Sequence, residues 1–169
     1  MALPCRDHPG ELMRRAVLTC LILLASARPA AAKDLGNRIG VGFQSQLGAV
    51  PALSARYGLP TANPAVNIQV EADFGFATGD VAQLYAGGRG LYGLVVEDNM
   101  NLYGYVGAGW NDSGAGGAFR LQPGLEVQAF PFGLENLGLT GSFGLNVDLG
   151  GQTSISTTGA VAAGLHYWF

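Results

Sequence analysis

The chain has 169 residues, with 9 lysines and arginines against 12 aspartates and glutamates, 27 glycines and a formal charge of −3. It carries no basic patch or stripe to meet the phosphates of a nucleic acid, and its glycines lack the triplet period of collagen. Its two cysteines, Cys5 and Cys20, both lie near the N-terminus, so the rest of the chain has neither a disulfide framework nor a thiol.

Arg14 and Arg15 precede an apolar run from Ala16 to Ala27, followed by Arg28-Pro29 and then Ala30-Ala31-Ala32. A positive n-region, an apolar h-region and an A-x-A-like site predict a secretory signal peptide over residues 1–32, cut after Ala32. Met13 stands directly before the arginine pair and is a second candidate start. The run is shorter than the ~20 apolar residues a membrane helix needs, which disfavours an N-terminal anchor. Cys20 precedes most of the run and follows Leu18-Thr19, a poor match to a lipid-attachment site. Residues 33–169 remain as one domain. With Arg6, Arg14, Arg15, Arg28, Asp7 and Glu11 in the leader, that domain keeps five basic and ten acidic residues, a formal charge of −5.

Eight strands are predicted, at 38–46, 51–59, 65–76, 81–95, 101–110, 118–130, 137–149 and 158–169. Turn residues separate them: Pro60 to Pro64, Ala77 to Asp80, Glu97-Asp98-Asn99, Asn111 to Gly114 and Pro131-Phe132-Gly133. Most are close to the ~9–11 residues that cross a bilayer when tilted. In the third, Val66, Ile68, Val70, Ala72, Phe74 and Phe76 oppose Asn67, Gln69, Glu71, Asp73 and Gly75. In the sixth, Phe119, Leu121, Leu125, Val127 and Ala129 oppose Arg120, Gln122, Gly124, Glu126 and Gln128. In the seventh, Leu139, Phe143, Leu145, Val147 and Leu149 oppose Thr140, Ser142, Gly144, Asn146 and Asp148.

A soluble lipocalin would show the same alternation with its apolar faces inward. Three features favour a membrane barrel instead. The apolar faces run unbroken for about ten residues, as lipid contact demands. Aromatics fall in two belts if both termini share one side: Phe43, Phe74, Phe76, Trp110 and Phe119 at the far ends, and Tyr57, Tyr92, Tyr167 and Phe169 at the near ends. The polar faces mix both charge signs with amides and small residues, as a hydrogen-bonded interior requires. An even strand number also closes the sheet without an edge.

The final strand alternates to the last residue. Val161, Ala163, Leu165, Tyr167 and Phe169 share one face, and Ala160, Ala162, Gly164, His166 and Trp168 the other. The spacing of Gly164, Tyr167 and Phe169, Gly-x-x-aromatic-x-aromatic, resembles the C-terminal assembly signal of bacterial outer-membrane β-barrels. Ala162 departs from the family's pattern, which often has a polar residue there. Residues 33–169 as a whole resemble the small eight-stranded barrels of the outer membrane protein A transmembrane domain and outer membrane protein X class. The resemblance implies an all-β, up-and-down antiparallel transmembrane barrel in the bacterial outer membrane. Its implied partners are outer-membrane lipids, periplasmic chaperones and the barrel-assembly machinery. It also implies a side-chain-filled interior, while members range from anchors and adhesins to a few lipid-modifying enzymes, so fold leaves the role open.

An inventory of chemistry points away from catalysis, cofactors and metals. Gly88 to Gly93 matches G-x-G-x-x-G but lies within a strand and opens no helix. Asn111-Asp112-Ser113 reads as a turn. His166, the only histidine after the leader, has no neighbouring carboxylate or thiol in sequence and is expected as a lumen or interface residue near the inner rim. The His-x-Ser pair of barrel lipid A deacylases is absent, since Tyr167-Trp168 follow His166. The expected function is a structural or interaction role. The alternatives are a small porin-like channel, or a periplasmic lipocalin-like carrier. The outer loops, at 47–50, 77–80, 111–117 and 150–156, are short and Gly-rich, which disfavours a protruding adhesin. Two lumen ion pairs are predicted from parity and from distance to the shared turns: Glu71 with Arg89, and Arg120 with Asp148.

Overall fold

The computed structural model describes residues 33–45, 51–63, 66–78, 82–112, 116–131, 133–150, 153–157 and 161–169. The predicted leader, loop 47–50, and the strand starts at Ala65, Val81 and Thr158 lie outside the described residues.

The described residues form ten β segments: β1 Ile39–Gln44, β2 Ala52–Leu59, β3 Ile68–Ala77, β4 Gln83–Val96, β5 Met100–Asp112, β6 Gly117–Ala129, β7 Leu137–Gly144, β8 Asn146–Leu149, β9 Ser154–Ser156 and β10 Val161–Trp168. Each of β1 to β6 pairs antiparallel with the next, and β10 pairs with both β7 and β1, which closes the sheet into a ring.

The ten segments make eight walls. β7 and β8 continue one line, since both meet β6 in a single register, with Gly144 opposite Gly124 and Val147 opposite Leu121. The interruption at Leu145 has a local cause. Leu145 stands opposite Pro123 and donates its N–H to the Pro123 carbonyl at 3.0 Å. Proline has no N–H to return the second bond of that pair, so the ladder breaks there. β9 and β10 likewise form one wall. β9 pairs with β8 and β10 with β7, and the register changes by two residues between Asn146 opposite Ser156 and Phe143 opposite Val161.

Several strand ends shift from the sequence reading, and two of the differences have a visible cause. Ser154–Ser156, expected within a loop, is a strand, because Ile155 finds Val147 as its cross-strand partner. β5 runs to Asp112 rather than stopping at Trp110, since the β5–β6 ladder continues through Asn111 opposite Ala118 and Asp112 opposite Gly117.

Burial alternates strictly along most strands, and its sense is inverted relative to a soluble protein. Phe43, Val70, Phe74, Val106, Leu125 and Phe143 point outward and are exposed, whereas Arg56, Gln69, Glu71, Arg89, Gln122 and Glu126 point inward and are buried. A lipocalin-like carrier needs the reverse, a dry apolar interior, so that alternative does not fit the fold. The outward aromatics include both predicted belts, from Phe43, Phe74, Phe76, Trp110 and Phe119 to Tyr57, Tyr92, Tyr167 and Phe169.

Candidate functional site in the barrel lumen

The lumen is filled in layers, and its middle layer is ionic. Register brings Arg56 opposite Glu71, and Glu71 opposite Arg89, on three consecutive strands with inward parity. One carboxylate is thus held between two guanidiniums. Arg56 Nη2 lies 3.1 Å from Glu71 Oε2. Arg89 donates to the same oxygen from Nε at 2.9 Å and also from Nη2.

A fourth charge arrives from across the barrel. In a ring of eight walls β2 faces β6, and Arg56 on β2 forks onto Glu126 on β6, with Nη1–Oε1 at 2.6 Å and Nη2–Oε2 at 3.0 Å. Arg89 Nη1 lies 3.0 Å from the same Glu126 Oε2. The four side chains have no solvent exposure. Alternating signs and forked hydrogen bonds are what make such burial tolerable, because a lone charge there would be far costlier. Gln44 accepts from Arg56 Nη2 at 3.0 Å, and the Arg89 guanidinium lies 5.1 Å from the Tyr105 ring centroid.

His166 belongs to this layer rather than to the inner rim. It is fully buried, with Nε2 2.8 Å from Ser54 Oγ and 3.7 Å from Glu71 Oε1. The carboxylate absent from its sequence neighbourhood comes from β3. Serine, histidine and glutamate converge here, yet not in relay order. A hydrolytic triad uses one imidazole nitrogen for the serine and the other for the acid. In this lumen Nε2 faces both groups, and Ser54 Oγ donates its proton to Glu71. Nδ1 has no hydrogen-bond partner among the described residues.

Toward the terminus-bearing end lies a neutral layer. Tyr103 OH accepts from Gln69 and from Asn101 Nδ2 at 3.1 Å, and donates to Gln128 Oε1 at 3.3 Å. Beyond it Leu35, Phe130 and Trp168 pack as a buried apolar cluster. Toward the far end, Gln122 Nε2 donates to Asn146 Oδ1 at 2.7 Å, and Arg120 forks onto Asp148 at 2.6 and 3.0 Å. That last pair is partly exposed. The Tyr85 ring occupies the space left by Gly87 and Gly109, where a Cβ would collide with its hydroxyl.

The structure therefore brings Glu71 to Arg89 and Arg120 to Asp148, and adds to the first pair Arg56, Glu126, Ser54 and His166. Arg56 carried a readable signal, since it sits directly opposite Glu71 in the β2–β3 hairpin. Glu126 carried none, because its contact crosses the ring. Of the C-terminal motif, Gly164 pairs with Gln44 and Thr140, while Tyr167 and Phe169 meet edge-to-face outside, with ring centroids 5.0 Å apart. No group of three or more His, Cys, Asp or Glu side chains among the described residues is placed to hold a metal ion.

No protein-family sequence model matches the chain, and no curated protein matches it in sequence. Among solved structures it is similar to the N-terminal β-barrel domain of Pseudomonas aeruginosa OprF, with a TM-score of 0.55 and 11% identity over 79% of this chain and 98% of that one. The backbone structure of the Yersinia pestis outer membrane protein Ail in a phospholipid bilayer nanodisc aligns at a TM-score of 0.44 and 15% identity, over 78% of this chain and 97% of that one. At 11% identity the OprF likeness is one of fold: a closed eight-stranded antiparallel barrel of the outer-membrane type.

Proposed function

We propose that the chain is an integral protein of the bacterial outer membrane, with a structural or interaction role and no catalysis. One observation carries the reading: four fully buried charges lie inside the ring, and a continuous apolar, aromatic-edged surface lies outside. Only a lipid environment makes that outward face favourable, and only a closed barrel satisfies the backbone there. Its partners are then outer-membrane lipids, with periplasmic chaperones and the barrel-assembly machinery reading Gly164, Tyr167 and Phe169. Ser54 and His166 serve as packing and hydrogen-bonding groups of the plug, since the serine proton is committed to Glu71.

Membrane fractionation with a carbonate wash tests the reading. Retention in the outer-membrane fraction is expected, and release into the wash would overturn it. The small-channel alternative is separated by conductance in planar bilayers. With Arg56 and Glu126 joined across the full width of the ring, no steady single-channel current is expected.

A further inference from the structure

The segment preceding β1 crosses the mouth of the barrel. In a ring of eight walls β1 faces β5, and the β4–β5 turn therefore lies opposite β1. Lys33 N–H donates to the Glu97 carbonyl in that turn at 3.3 Å, while Arg38 leads directly into β1. Five residue-to-residue steps of chain thus span from one side of the opening to the other. Midway, the Leu35 side chain is fully buried against Phe130, which follows β6, and Trp168, which ends β10. The cluster lies directly beyond the Gln69, Tyr103 and Gln128 layer.

The crossing is built locally. Asp34 Oδ1 accepts from Gly36 N–H at 2.8 Å, and Arg38 N–H donates to the Leu35 carbonyl at 3.2 Å, which folds the segment into a turn. Asn37 adopts φ 59° to complete it, a conformation asparagine tolerates. Asn37 N–H then donates to the Gly58 carbonyl at 2.9 Å, and Gly58 N–H to the Arg38 carbonyl at 3.0 Å. Gly58 is needed for the approach, since a Cβ there would fall inside the Leu35 carbonyl. At the other end Lys33 Nζ sits 5.1 Å from the Phe130 ring centroid and 3.9 Å from Glu135 Oε2.

We propose that Lys33–Asn37 is a strap that seals the terminus-bearing mouth of the barrel, with Leu35 as its stopper. It is a second closure, separate from the ionic layer. It contacts walls from both ends of the chain, so it seats only once β10 has joined β1. The proposal rests on the closed ring alone and can be tested in detergent micelles, so its failure is distinguishable from failure of the outer-membrane reading.

Gln128 lies on the inward face two residues before Phe130, behind the stopper. The chain has no cysteine after Cys20, so Gln128→Cys introduces a unique reporter in the barrel. A charged, membrane-impermeant thiol reagent should label it slowly in the otherwise unchanged protein. Adding Leu35→Asp, which drives the stopper toward water, should speed labelling at least tenfold. Gly58→Ala, which displaces the strap without altering Leu35, should do the same. Heat-modifiable migration selects folded protein in each case. Labelling within twofold of the parent in a folded variant would overturn the proposal. Hydrogen exchange on the unaltered protein is an independent readout. The Asn37 and Gly58 amides should exchange as slowly as strand-interior amides, and loop-like exchange would also overturn it.

Discussion

Arg38, at the start of the barrel, donates from Nη2 to the main-chain carbonyl of Trp168, at its end, across 3.1 Å. The same guanidinium reaches Asn136 Oδ1 at 2.6 Å, and its Nε lies 3.4 Å from the Phe169 carbonyl. With Phe169 N–H donating to Ile39 at 2.8 Å, these bonds close the seam where the two ends of the chain meet. Arg38→Ala should cost about 1.5 kcal/mol, the scale of hydrogen bonds made by a charged donor. Lysine should restore only part of it, because it lacks the fork that serves three acceptors. Reversible unfolding from lipid vesicles measures both.

The C-terminal aromatics should matter more for assembly than for stability. Phe169 is 72% exposed and Tyr167 46%, so neither is needed to fill the interior. Deleting Phe169, or changing Tyr167 and Phe169 together to serine, should yield secreted protein that fails to insert and is degraded. Normal heat-modifiable migration and normal surface amounts of both variants would refute an assembly role.

The ionic layer predicts a specific pattern of coupling. Arg89→Ala leaves Arg56 facing two buried carboxylates, and losing one partner of a buried pair typically costs ~3–5 kcal/mol. Removing Glu71 and Arg89 together leaves the forked Arg56–Glu126 pair balanced. The double variant should therefore be more stable than the sum of the single effects implies. Additivity within ~0.5 kcal/mol in a double-mutant cycle would reject that coupling.

On the outer surface, Val70 in β3, Leu125 in β6 and Leu145 between β7 and β8 are exposed. An arginine at any of them should cost ~2–4 kcal/mol in a bilayer. The cost should shrink in a micelle, whose surface adapts around the charge. Equal tolerance of arginine at these positions in vesicles and micelles would argue against their facing the bilayer core.

Pro123→Val should restore the missing donor of the Pro123–Leu145 pair. The new N–H should bond to the Leu145 carbonyl and join β7 to β8 in one ladder. One such bond contributes about 1 kcal/mol, and losing proline's restriction of the unfolded chain offsets ~0.4–1 kcal/mol of it. Stability should therefore change little, while the new amide of residue 123 should exchange slowly. Fast exchange there would show that another cause interrupts the strand.

Alternation and turn chemistry were enough to derive the all-β class, the eight walls and the division of faces, because a strand's side-chain period is two and each strand carries its own pattern. Hairpin neighbours were also legible. Glu71 with Arg89 and Arg120 with Asp148 are joined through their register, which the intervening turn sets. Contacts that cross the ring were not. Glu126 reaches Arg56 from the opposite wall, and His166 reaches Ser54 and Glu71 from a strand near the far end of the chain. Leu35 is buried only because the chain before β1 turns back over the mouth. Nothing local encodes those meetings. They depend on the stagger with which the closed sheet brings distant residues to one height, and closure is a property of all eight walls together.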